Sequence, residues 1–198
     1  KKRRELSRLG FKDSSVMQEE GMENAISLGL FTVEANAQKH LQALAALMHA
    51  VLIRGIGWAS DEPSLSGRPW AQAVYARLAS EMAYHQAGIH SPGDEIDLFE
   101  VDDTYAYKEL QHLEAALRLE VGEGARLTAS GRTARGAELP VNPSGGSLGM
   151  GYGYDASALV RTAMAALQLR GEAGAMQVAG ARTAAVVSWR GVPPPSGG

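Results

Sequence analysis

Cysteine is absent from the 198 residues, which excludes disulfides, thiolate metal sites and a cysteine nucleophile within this chain. No apolar run approaches the roughly 18 residues a membrane-spanning helix needs. The opening Lys1-Lys2-Arg3-Arg4 is followed by polar residues, so it is not a cleavable secretory signal; the expected compartment is the cytoplasm. A surplus of one charge sign is missing too. Nineteen basic against 22 acidic side chains leave −3, which argues against generic binding to nucleic acid or an anionic membrane. The five histidines give no metal-ligand spacing: Glu81 and His85 share a helix face without a third ligand. No bound metal or cofactor is expected. Residue 1 is not Met, so a fragment or a processed product is one reading of the chain.

Apolar residues reach 45%, enough for a sizeable core. Glycine is abundant, with 23 residues, of which 15 follow residue 120. Function is therefore sought in the C-terminal third. Residues 1–45 read as an unassigned arm and helix, with helical spacing over 37–49. A main domain spans 46–191, and a Pro/Gly tail 192–198.

Val51-Leu52-Ile53 reads as a buried strand. A helix follows Pro69 and stops near Gly88, and Pro92-Gly93-Asp94 reads as a loop. Ile96–Val101 reads as a strand, Thr104–Leu119 as a helix, 120–138 as an excursion loop and Asp155–Leu169 as a third helix. Met176–Ala179 and Thr183–Trp189 read as closing strands. Alternation of this kind predicts an α/β domain with helices layered on a sheet.

Two segments stand out chemically. Asn142–Ala156, NPSGGSLGMGYGYDA, places five glycines before a helix, where backbone amides can approach a ligand. Its spacing fits neither GxxxxGK[ST] nor GxGxxG, and a tight strand-to-helix turn is the plainer alternative. The second segment is Glu100-Val101-Asp102-Asp103-Thr104-Tyr105-Ala106-Tyr107. Its three acids stand at the C-terminal end of a strand, where α/β crevices open. The alternative is that Asp102 and Asp103 bend the chain and Thr104 caps the helix. Four of the six tyrosines lie in these segments, and a phenol can exchange a proton. Arg118, Arg126, Arg132 and Arg135 form a loose basic group, either solvated surface or a contact for a nucleotide-bearing substrate.

Residues 88–119 and 139–189, above all the PVNPSGG and QLRGEAG blocks, resemble the C-terminal half of a thiolase of the sterol-carrier-protein and archaeal branch. The resemblance implies a layered αβα domain, one half of a two-half fold, with a coenzyme A thioester as substrate. It also implies pairing in a homodimer or with an N-terminal thiolase half. The nucleophilic cysteine of the family belongs to that other half. Asp102 stands at the position of the strand-end histidine, followed by Asp103 and Tyr105, and Tyr152 at that of the loop histidine.

These departures resemble thiolase-like coenzyme A-dependent aldolases, which work with a small partner carrying an OB-fold domain; an OB-fold/zinc-ribbon partner is therefore expected. On this resemblance Tyr105, Tyr152, Asp102 and Asp103 are the candidate catalytic residues. Asn142, Ser144, Gly145, Gly146, Gly151 and Gly153 are the candidate substrate-binding residues. An inactive scaffold subunit or a truncated fragment stands as the alternative.

Overall fold

The structure, a computed structural model, describes residues 15–16, 26–27, 50–62 and 64–190. Apart from residues 15–16 and 26–27, the expected arm lies outside the described residues, as do the helix over 37–49 and the tail 192–198. The chain divides into two units, residues 1–50 and 51–198. In the first, β1 (Ser15–Val16) and β2 (Ile26–Ser27) pair antiparallel, Ser15 opposite Ser27.

The second unit is an α/β layered domain. Its sheet core is β3 (Leu98–Val101) paired in parallel with β4 (Ala184–Val187), Leu98 opposite Ala184 and Val101 opposite Val187. Helix α1 (Val74–Ala87) starts later than Pro69 suggests, because residues 69–72 form a separate turn closed by Gln72 N–H to Pro69 O. It stops at Gly88, whose φ of +68° suits glycine. Pro92–Glu95, expected as a loop, is the single-turn helix α2, with Pro92 in the first turn. Helix α3 (Ala106–Leu117) follows β3 and buries Leu113, Ala116 and Leu117. These pack with Tyr84, Ile89, Phe99, Val101 and Val141 in one cluster, which joins α1 and α3 to β3. Helix α6 (Ser157–Arg170) packs against both strands of the sheet.

Three further expectations need correction. Residues 51–57 form no strand. Gln86 of α1 takes the place of a strand partner, its amide accepting from Ile56 N–H at 3.1 Å and donating to Ile56 O at 2.8 Å. The segment lies so close to α1 that a Cβ at Gly55 or Gly57 would overlap the carbonyl oxygens of Ala83 or Ala79. Second, 120–138 is not all loop. It contains α4 (Glu123–Ala129), whose start is fixed by the Glu114 carboxylate accepting from Gly122 N–H at 2.7 Å and Gly124 N–H at 3.0 Å. Third, Met176–Ala179 is no strand. A 3₁₀ turn covers Gly174–Met176, and the Gln168 amide donates to Met176 O and accepts from Val178 N–H. Within the glycine-rich run, Gly146–Met150 forms the short helix α5.

Candidate functional site

At the end of β3 the chain turns sharply. Asp102 and Asp103 are buried, and Asp102 Oδ1 accepts from Thr104 N–H at 3.1 Å, which bends the backbone toward α3. Thr104 does not cap that helix. Tyr105 is its N-cap, in extended conformation, and the Thr104 hydroxyl has no hydrogen-bond partner among the described residues.

Beside β3 runs Leu139–Asn142. Phe99 N–H donates to Pro140 O at 2.9 Å, and Asn142 N–H to Phe99 O at 2.7 Å. Asn142 then leaves the extended direction at φ +47°. Its side chain continues the ladder, the amide oxygen accepting from Val101 N–H at 2.8 Å, while Nδ2 donates to Glu109 at 3.1 Å. Ser144 seals the next position, donating from its backbone N–H (3.1 Å) and its hydroxyl (2.6 Å) to the Glu100 carboxylate. Burial raises the pKa of Glu100 above the ordinary carboxylate value, against those two bonds, and burial likewise raises Glu109.

The glycine-rich segment folds back onto Asp103. Ser147 N–H and Leu148 N–H donate to its two oxygens at 2.7 and 3.3 Å, so one carboxylate closes the start of α5. Gly146, at φ +59°, lies where any Cβ would overlap that carboxylate. Arg161 of α6 completes the knot. Its guanidinium donates to Val101 O at 2.7 Å, Asp103 Oδ1 at 3.0 Å and Ser147 Oγ at 2.5 Å. Asp102 Oδ2 lies 3.5 Å from the same nitrogen and makes no hydrogen bond among the described residues. Arg161 is 2% exposed, so this cation is wholly withdrawn from water.

Asp102, Asp103, Asn142, Ser144, Gly145 and Gly146 thus come together as one scaffold at the strand end. Gly151 and Gly153 line a shallow cleft beyond it, with Ser147, Met150, Ser157, Val160 and Arg161. Tyr152, between the two glycines, is half-buried, and its ring lies 5.3 Å from that of Tyr154. Tyr105 is 41% exposed and stacks on Tyr107 at 6.0 Å.

Of the basic group, Arg118 is bound bidentately by Glu81 and Arg132 by Glu138, while Arg135 donates to Pro143 O and Ala175 O. Glu81 is thereby occupied by an arginine. Sequence reasoning missed Arg161 and His112. Arg161 was visible as a lone cation in the apolar run SALVRTAMAAL. His112 Nδ1 faces Asp102 O at 2.8 Å and its Nε2 the Tyr75 hydroxyl at 2.8 Å. Burial holds its pKa down at about 4.

Comparison with known proteins agrees with this architecture. The family model described as "Thiolase C-terminal domain-like" matches residues 57–193. The acetyl-CoA acetyltransferase of Methanothermobacter thermautotrophicus is 40% identical over 103 residues, covering 52% of this chain and 26% of that protein. Human sterol carrier protein 2 is 38% identical over 109 residues, covering 55% of this chain and 20% of that protein. The chain therefore spans about a quarter or less of the length of these relatives. A solved structure of an "Ltp2-ChsH2(DUF35) aldolase" shares the fold, with a TM-score of 0.50 at 23% identity over 62% of this chain and 32% of the other.

Proposed function

The chain belongs to the thiolase C-terminal domain-like family, and from that premise we propose that it supplies the C-terminal half of a site for carbon–carbon bond chemistry on a coenzyme A thioester. The observation that carries this reading is the attachment of the glycine-rich loop to the strand end. Asp103 holds the amides of Ser147 and Leu148 directly, and Arg161 locks all three segments. The same attachment bears on Gly151 and Gly153, the chain neighbours of Tyr152, which line the cleft with Ser147 and Arg161.

Within this reading the reaction is a retro-aldol cleavage of a β-hydroxyacyl thioester. A base takes the β-hydroxyl proton, and the Cα–Cβ bond breaks to leave a carbonyl product. Its electron pair moves into the thioester enolate, which is then protonated at Cα. Tyr152 exchanges the hydroxyl proton and Tyr105 positions the thioester. Asp103 acts as a positioning residue through the loop, since both its oxygens already accept hydrogen bonds, and Asp102 acts with it beside Arg161. Asn142, Ser144, Gly145 and Gly146 shape the loop, and Gly151 and Gly153 face the substrate.

The site is completed by a second copy or by an N-terminal thiolase half, with an OB-fold/zinc-ribbon protein as a further partner. Exposed apolar side chains support a covered surface: Ile53, Trp58, Leu148 and Leu159 are 66–73% accessible. The test is Tyr152→Phe and Tyr105→Phe in the complete assembly with a β-hydroxyacyl-CoA. Tyr152→Phe is expected to cost about 10²-fold or more in turnover. Full activity in both variants overturns the tyrosine mechanism in favour of a scaffold subunit.

A further inference from the structure

Beyond residue 39 the chain carries eleven arginines but a single lysine, Lys108. It sits in the first turn of α3 and is 6% exposed. No carboxylate pairs with it among the described residues. Its Nζ donates to the Tyr75 hydroxyl at 3.3 Å and lies 5.1 Å from the Trp189 ring centre, 5.4 Å from that of Tyr75 and 5.7 Å from that of Tyr107. The amine borders a cleft lined by Asp61, Arg68, Trp70, Gln72, Tyr75 and Trp189.

The hydrogen bonds around it have a fixed direction. Asp102 O can only accept, so His112 carries its proton on Nδ1 and Nε2 is an acceptor. The Tyr75 hydroxyl therefore donates to His112 Nε2 at 2.8 Å, and its oxygen accepts from Lys108. A neutral Lys108 keeps an N–H for Tyr75, and its lone pair remains free for the cleft.

We propose that Lys108 is a carbonyl-capturing amine, and that the cleft between Asp61, Arg68, Trp70 and Gln72 on one side and Trp189 on the other admits small aldehydes. The Nζ lone pair forms a bond to the carbonyl carbon, and the carbonyl oxygen takes a proton to give a carbinolamine. Loss of water, with the amine proton passing to solvent, leaves an imine. No oxidant or reductant is consumed. Burial lowers the Lys108 pKa, and Arg68 adds to this. Asp61 and Asp102 oppose it, and His112 is neutral above its pKa of about 4.

The proposal does not depend on the proposed thioester chemistry and is tested without turnover. The full chain is treated at pH 7 with acetaldehyde and cyanoborohydride, which reduces any imine to a stable secondary amine, and adducts are mapped by peptide mass spectrometry. Lys108 is expected to label about tenfold faster than the side chains of Lys1, Lys2, Lys12 and Lys39, and to lose that lead in guanidinium chloride. Tyr75→Phe, with retained folding checked by circular dichroism, is expected to keep the lead, since the phenol holds the amine without consuming its lone pair. Labelling of Lys108 at or below the rate of the other four lysines overturns the proposal and leaves it a buried cation held by aromatic rings.

Discussion

Arg161 and Asp103 meet at 3.0 Å in a place that water does not reach, and the same guanidinium also holds the carbonyl of Val101 and the hydroxyl of Ser147. One side chain of α6 thus ties β3 to α5. Removing it leaves Asp103, and Asp102 beside it, buried without their cation. Arg161→Met is expected to lose about 3–5 kcal/mol of stability, read by urea denaturation, while Asp103→Asn/Arg161→Met loses less than the two single changes added together. Additive losses would show that the pair is not coupled.

Gly146 and Gly149 lie three residues apart in the same short helix and should respond oppositely. Gly146 has a positive φ and the Asp103 carboxylate where a Cβ would go, whereas nothing lies within 4 Å of the Cβ position at Gly149. Gly146→Ala is expected to cost about 1–3 kcal/mol. Gly149→Ala should be neutral or stabilising by up to about 1 kcal/mol, because alanine favours helix. Thermal melts of both variants decide it; equal effects would contradict the packing at Asp103.

His112 makes stability depend on acid. Its folded pKa of about 4 lies below the ordinary 6.5, so below 6.5 the unfolded chain takes up a proton that the folded chain refuses. Stability is fully present above about pH 6.5 and falls toward pH 4, by up to about 3 kcal/mol from this group. In His112→Asn the decline between pH 6.5 and 4.5 is expected to be shallower, measured by denaturation at each pH. An unchanged slope would place the acid sensitivity elsewhere.

The readable parts of the fold were those with a periodic apolar face. Leu110, Leu113 and Leu117 announce α3, and the alternation of apolar and acidic residues over Ile96–Val101 announces β3. What was not readable rests on polar side chains standing in for backbone. Gln86 satisfies Ile56, and Gln168 satisfies Met176 and Val178, so two apolar segments that look like strands need no strand partner. Glu114 starts a helix from a neighbouring element, a contact with no signature in local spacing. The two chemical segments were legible from their glycines and acids. Their joining through Asp103 bridges a sequence separation of 44 and depends on Arg161, and no motif encodes that.

The pairing of β3 with β4 sets an order of events in the making of this protein. Leu98 finds its partner at Ala184, 86 residues later, and every helix from α3 to α6 is translated in between. On the ribosome β3 emerges with an open edge and keeps it until β4 appears, long after the α1–α3 cluster has the residues to collapse. Such distant parallel pairing closes late and slowly. The protein is therefore most exposed to misassociation as a nascent chain, while its most buried strand has one side uncovered.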